Sequence, residues 1–220
     1  MKEIYFLVIF LVVFHIIVPT FQEFTYFFLL DVIHISKFTF ALLVLMAQLA
    51  ILLGALFYRA FFRNIDTRVM IIWALITGAF GAFMNYTFAK RWNLEIDIDD
   101  MVFLLFTDVV FHTLSTLLMH LPLLAVFAKI TPPKIEGTTF AFLTGTANFG
   151  GTVISPAMGT WINYQFVGVS KDDLSNYSTL ILIEFIGRCL AFALIPLIPT
   201  KKQIIENREV RKKEYLKKKK

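Results

Sequence analysis

The chain has 220 residues, of which 58% are hydrophobic and 25 are phenylalanine, and its mean hydropathy is +0.72. This composition is too apolar for a water-soluble domain, so a soluble enzyme, a fibrous protein and a disulfide scaffold are all disfavoured. The net charge of +5 does not indicate nucleic-acid binding, because residues 201–220 alone carry +7 and residues 1–200 carry −2.

Apolar stretches long enough to cross a bilayer, at about 20 residues each, recur along residues 1–200. They predict an all-α, polytopic transmembrane helix bundle, followed by a basic cytoplasmic tail at 201–220. The tail either lies against anionic lipid or is only solvated and disordered. The six predicted spans are residues 5–30, 38–58, 69–89, 101–128, 138–166 and 178–199.

The first predicted span contains Pro19. Proline removes one backbone hydrogen bond, but apolar residues resume at Phe24, so we expect one kinked helix rather than two. Residues 19–23 offer no small-x-small cleavage site, which favours a retained helix over a cleaved signal peptide.

The basic residues favour one orientation. With the N-terminus in the cytoplasm, sixteen Lys and Arg lie on the inner side, four lie outside, and Arg188 falls within a span. This bias satisfies the positive-inside rule and agrees with an even number of spans. Both termini are therefore expected to be cytoplasmic, in a membrane that the sequence does not specify.

Polar residues in the first span form a stripe at helical spacing, made of His15, Pro19, Gln22 and Tyr26 with Glu23 beside it. Polar groups in hydrocarbon are costly, so the stripe is expected to face protein or water. Two interpretations remain open for Glu23, contact with a solute or an interfacial position beside packed helices.

The fourth and sixth spans contain ionisable residues. Asp108 and His112 lie one turn apart and share a face with Ser115, which suits proton exchange, although a solvated Asp108 near the outer end is an alternative. Glu184 and Arg188 have the spacing of an ion pair. This pair either binds an anionic solute or only neutralises two buried charges while the helix packs against a neighbour, and we favour the second interpretation.

The fifth span has small and polar residues at helical spacing. They predict one packing face, because close backbone approach and polar side chains supply much of the attraction between helices in lipid. Asn148 can hydrogen-bond a solute or only a neighbouring helix. The members of the predicted face are Thr144, Asn148, Gly151, Ser155 and Gly159.

No cofactor, metal site or catalytic cluster is predicted. The single cysteine, Cys189, has no partner thiol, and His112 and His120 are two turns apart with no third ligand in sight. No nucleophile, base and orienting group occur together, so the sequence does not indicate an enzyme.

One stretch carries a family resemblance: PPKIEGTTFAFLT at residues 132–144, continued by ANFGG at 147–151. It resembles the folate-biopterin transporter family of the major facilitator superfamily, and the likeness extends over residues 5–200. Ile135 and Phe149 depart mildly from the pattern. The resemblance covers the C-terminal six of the twelve helices expected for this family, so it implies one half of a secondary transporter.

That resemblance implies transport of folate, biopterin or a related small solute, together with an N-terminal six-helix half or a homodimer partner, because alternating access needs two opposed halves. In this interpretation Arg188 meets a carboxylate. The alternative is a non-transporting interaction subunit or a truncated remnant of a twelve-helix transporter. The candidate solute-binding residues are Glu23, Asp108, His112, Asn148 and Arg188.

Overall fold

The computed structural model describes residues 2–62, 65–131, 135–200 and 202–206, and every regular element in these ranges is helical. The predicted all-α class is therefore confirmed. Most of the basic tail, the Pro132–Lys134 part of the family-like stretch and Arg63 lie outside the described residues. Residues 202–206 form a short helical turn.

Ten α-helices, several of them continued by π-helical or 3-10 turns, form the described chain. They are α1 (Lys2–Ile17), α2 (Gln22–Phe27), α3 (Lys37–Phe57), α4 (Thr67–Ala89), α5 (Trp92–Glu95), α6 (Asp100–Leu104), α7 (Thr113–Ile130), α8 (Glu136–Phe149), α9 (Ser155–Ile162) and α10 (Tyr177–Leu190). The π-helical turns are Phe28–Val32, Tyr58–Phe62, Leu105–His112, Gly150–Ile154 and Asn163–Val167, and Ala191–Leu197 is a 3-10 helix.

Four helical segments are long and apolar enough to cross a membrane. They are Lys37–Phe62, Thr67–Ala89, Asp100–Ile130 and Tyr177–Glu206, and a bent pair, Glu3–Ile17 with Gln22–Val32, adds a fifth candidate. The predicted fifth span at 138–166 also lies in helical chain, from α8 to the turn after α9. It is not among the apolar candidates, because its Thr, Gly and Asn residues lower its hydropathy.

The first predicted span is broken rather than merely kinked. Helix α1 ends at Ile17 and α2 begins at Gln22, with a bend of 43° between the two segments. The reason lies in α9, where the Ser155 hydroxyl donates to the carbonyl oxygens of His15 (3.0 Å) and Val18 (2.9 Å). Proline at position 19 cannot donate to His15, so Ser155 supplies the missing partner and stabilises the break.

Helix α4 lies at the centre of the bundle. It packs against α7 on one side and α10 on the other, α3 packs on the far side of α7, and α1 lies between α10 and the α8–α9 segment. Helix α3 buries only Leu43 and exposes a row of leucines. That surface is what lipid-facing helices present, since apolar side chains have no cost in hydrocarbon.

The buried apolar residues form two main clusters at different depths. Leu75 of α4, Leu123 of α7 and Ala191 after α10 belong to the first, and Phe88 and Ile181 belong to the second. On both α4 and α10, a short segment between the two clusters carries small or polar residues instead. The polar segments of the two helices therefore lie at similar depth.

Arg68 connects the start of α4 to the end of the last helical segment. Its Nε donates to the carbonyl oxygen of Ile198 at 3.1 Å and its Nη2 donates to the carbonyl oxygens of Ile198 and Pro196. A guanidinium group binds two carbonyl oxygens with one planar set of donors, which lysine cannot do. This contact fixes the last helical segment against the N-terminus of α4.

Replacing Arg68 with alanine is expected to lower the free energy of unfolding by about 1.5–3 kcal/mol, the usual contribution of hydrogen bonds to a charged group. Thermal unfolding in detergent measures the loss. Arg68→Lys should recover only part of it, whereas Lys202→Ala, at an exposed position, should leave the melting temperature unchanged. Equal melting temperatures for wild type and Arg68→Ala would show that the contact does not stabilise the fold.

Candidate functional site: a polar crevice between α4, α7 and α10

An ion pair lies within α10, between the two apolar clusters. Nε and Nη2 of Arg188 both donate to Oε1 of Glu184, at 3.1 and 2.8 Å. The side chains are only 19% and 18% exposed. Charged groups at this position are costly unless paired, so the pair makes both tolerable in an apolar bundle.

The ion pair opens onto a small crevice of about 40 Å³. Three elements supply its walls: α4, the π-helical turn Leu105–His112 with the start of α7, and α10. A hydrogen bond of 2.9 Å from the Ser115 hydroxyl to the carbonyl oxygen of Ala74 joins α7 to α4 beside it. The polar or charged lining residues are Asn85, Thr107, His112, Ser115, Glu184 and Arg188.

Small residues of α4 make room for the guanidinium group. A methyl group at Gly78 would collide with both the Ser115 hydroxyl and Nη1 of Arg188, and Gly81 and Ala82 also line the crevice. Larger side chains at these positions would fill the space beside Arg188. The composition of this part of α4 therefore creates the crevice.

His112 and Asp108 occupy different parts of this region. His112 lines the crevice and is exposed, and its imidazole lies within electrostatic range of Glu184 and Arg188. The carboxyl of Asp108 faces the Asn85 amide. The hydrogen bonds of the described residues include none between Asp108 and His112, so their helical spacing does not translate into a direct contact.

Two of the five predicted site residues lie elsewhere. Glu23 is exposed in the first turn of α2, and Asn148 is exposed on α8, where its carbonyl oxygen accepts from Thr152. Neither lines the crevice. The structure thus places His112 and Arg188 on one lining, with Asp108 beside it, and separates them from Glu23 and Asn148.

The sequence favoured helix packing for Gly78 and Asn85 of the third span, and Glu184 was not among the predicted site residues. The sequence of α4 could have indicated the crevice. Gly78, Gly81 and Asn85 follow one another there at helical spacing, at the depth of the α10 ion pair. A small-residue face beside a buried charge indicates space as well as packing.

The predicted small-residue face of the fifth span is not one face. Ser155 and Gly159 are buried against the broken first span, together with Gly150, whereas Asn148 and Gly151 are exposed. The π-helical turn Gly150–Ile154 adds a residue to one turn of the helix. Residues before and after it therefore do not continue on the same side.

Comparison with known proteins identifies the chain's relatives. The model of the BT1 family matches residues 1–219. "Probable folate-biopterin transporter 6" of Arabidopsis thaliana is 30% identical over 151 residues, which are 69% of this chain and 29% of that protein. The "Folate-biopterin transporter" of Synechocystis sp. is 26% identical over 155 residues, 70% of this chain and 31% of that protein.

A more distant relative is "Folate transporter 1" of Plasmodium falciparum, 20% identical over 156 residues, which are 71% of this chain and 30% of that protein. The chain therefore matches about three tenths of the length of these curated relatives. No solved structure matches the chain. All three relatives are named as transporters and none as an enzyme, in agreement with the predicted absence of enzymatic activity.

The family match covers almost the whole chain, and the apolar helices supply several membrane crossings. Both observations confirm an integral, multi-pass membrane protein. The predicted resemblance to folate-biopterin transporters is also confirmed, by the relatives named above. The chain belongs to the BT1 family.

Proposed function

We propose that the chain is a membrane transporter component that carries folate, biopterin or a related small solute. The observation that carries this proposal is the ion pair of Glu184 and Arg188 beside a polar crevice in an otherwise apolar helix bundle. Ionisable residues inside a membrane mark solute or ion pathways more often than packing sites. The names of the relatives support the choice of solute.

We further propose that six spans form one half of a major facilitator fold, residues 1–200, followed by the basic tail. The long α8–α9 segment is the sixth crossing in this arrangement, although it is less apolar than the others. Its exposed Asn148 and Gly151 suit contact with protein or water better than contact with lipid. A second set of six helices, or a second copy of the chain, would cover that side.

Within the crevice, Arg188 is the proposed partner of an acidic group on the solute, because its planar donors match a carboxylate. Asp108 and His112 supply further polar groups. Glu23 and Asn148 lie outside the crevice, so in this proposal they contact the solute on its path rather than at the ion pair. Both chain termini are proposed to be cytoplasmic, as the distribution of basic residues favours.

Uptake into vesicles tests this function. The chain is reconstituted alone and together with a candidate N-terminal six-helix half, and uptake of labelled folate and of biopterin is followed. We expect saturable uptake in at least one arrangement, with loss of folate uptake in Arg188→Gln. Asp100→Asn is the matched control, because it removes one charge from an ion pair of the same length, 2.8 Å, between Arg91 and the first residue of α6. Absence of uptake of both solutes in every arrangement would contradict the proposal.

A further inference from the structure

The ion pair with Glu184 limits how Arg188 can bind an acidic solute. Two of its donor nitrogens are already used by Glu184, and both hydrogen bonds end on the same oxygen atom. The third nitrogen, Nη1, faces Gly78 and Ser115 at the crevice. A solute carboxylate that enters from the crevice therefore meets Nη1 and the second N–H of Nη2, directly beside the Glu184 carboxylate.

The size of the crevice limits what can enter. Its volume of about 40 Å³ is far below the about 300–1,000 Å³ of a pocket that holds a whole ligand. It accommodates a group about as large as a carboxylate but not a pterin ring. The crevice is therefore a subsite for an acidic group, while the remainder of the solute lies outside it.

The charges of Arg188 and Glu184 limit how a solute carboxylate can bind in the crevice. If a carboxylate joined the existing ion pair, one cation would face two anions in a poorly solvated site, which is costly. If Glu184 takes up a proton first, its two hydrogen bonds from Arg188 break and the guanidinium donates to the solute carboxylate instead. The sum of charges in the site is then the same before and after binding.

We propose that the Glu184 carboxylate binds Arg188 when no solute is present, and that protonation of Glu184 releases Arg188 to bind a solute carboxylate. One proton from the aqueous phase is thus bound with each carboxylate that enters. This inference rests on the proposed function and adds to it the acidic group as the recognised feature and the proton as the coupled ion.

Other groups near Glu184 have to be distinguished from it. Asp108 and His112 face it from the turn before α7, and the Tyr177 hydroxyl lies in the same helix, donating to Thr25 at 3.0 Å. Helix α4 contributes the uncharged Asn85, and His15 of α1 faces Gly150 instead. Among the described residues, Glu184 alone is hydrogen-bonded to Arg188, so its negative charge opposes a second carboxylate at the guanidinium most directly.

Proton uptake on ligand binding tests the inference directly. Folate carries carboxylates and biopterin carries none, and each is added to the purified protein, in the arrangement active for uptake, in weakly buffered detergent solution. We expect about one proton taken up per folate bound and none per biopterin, and about a tenfold weaker folate affinity for each pH unit gained while Glu184 is ionised, as linkage requires.

Three variants locate the proton. Glu184→Gln should bind folate without proton uptake and with an affinity independent of pH, whereas Asp100→Asn, outside the crevice, should behave as wild type. If Asp108→Asn or His112→Gln abolishes proton uptake while Glu184→Gln retains it, the inference is overturned. If Glu184→Gln does not fold, the number of protons that the wild-type protein takes up per folate bound still tests the inference. Folate and biopterin binding without any proton uptake overturns this inference alone, and binding of neither solute overturns the proposed function as well.

Discussion

Replacing Gly187 or Gly159 with alanine is expected to lower the free energy of unfolding by about 1–3 kcal/mol, the usual cost of inserting a methyl group into a filled contact. A Cβ atom at Gly187 would collide with the carbonyl oxygen of Ile17, and one at Gly159 with that of Thr20. Both obstacles are backbone atoms of the broken first span and cannot rotate away as a side chain can. Thermal unfolding of the detergent-solubilised chain measures the effect.

Gly145 provides the matched control, because it lies in α8 and nothing is within 4 Å of the position that its Cβ atom would take. Gly145→Ala should therefore be neutral or stabilising, since alanine favours the helix by about 1 kcal/mol over glycine. Equal losses for Gly145→Ala and Gly159→Ala would show that the effect comes from the helix itself and not from its contact with the first span.

These contacts explain why the break near Pro19 was not predicted from the sequence. Proline is tolerated inside membrane helices when neighbours supply the missing hydrogen bond, so Pro19 alone cannot distinguish a kink from an interruption. The decisive partner is Ser155, whose backbone carbonyl also accepts from the Thr20 amide at 3.2 Å. Ser155 lies 136 positions after Pro19 in the chain. No local pattern reveals a partner at that distance.

The helical class and the approximate positions of the helices could be predicted, because they depend on apolar length, which is a local property. Residue faces were predicted less well. The spacing argument assumes 3.6 residues per turn, and both the Leu105–His112 and the Gly150–Ile154 turns depart from it. The predicted face of the fifth span crosses the second of these turns, which is why Asn148 is exposed whereas Ser155 is buried.

The candidate site, like the fold, could be predicted only in part from the sequence. Pairing of Glu184 with Arg188 follows from their spacing within one helix and is confirmed. The crevice depends on which helices are neighbours, since Asn85 and Gly78 of α4 meet residues of α7 and α10. Neighbouring helices are set by tertiary packing, so the sequence could supply the candidates but not their combination.

The largest loss of stability within the crevice is expected when one member of the ion pair is removed. Arg188→Gln leaves the Glu184 carboxylate without its cation in a poorly solvated position, and breaking such a pair costs about 3–5 kcal/mol. Removing both charges in Glu184→Gln with Arg188→Gln should cost much less, because no unpaired charge remains. The melting temperatures of the single and double variants in detergent measure the difference.

The exposed pair Lys202–Glu206 serves as the control for this comparison, since its nitrogen and oxygen are 3.9 Å apart and both side chains are mostly in solvent. Lys202→Gln should not shift the melting temperature, because exposed pairs contribute little. If the double variant in α10 loses as much stability as the two single variants together, the charges act independently. That result would remove the physical basis for an exchange in which the proton on Glu184 and the solute on Arg188 depend on each other.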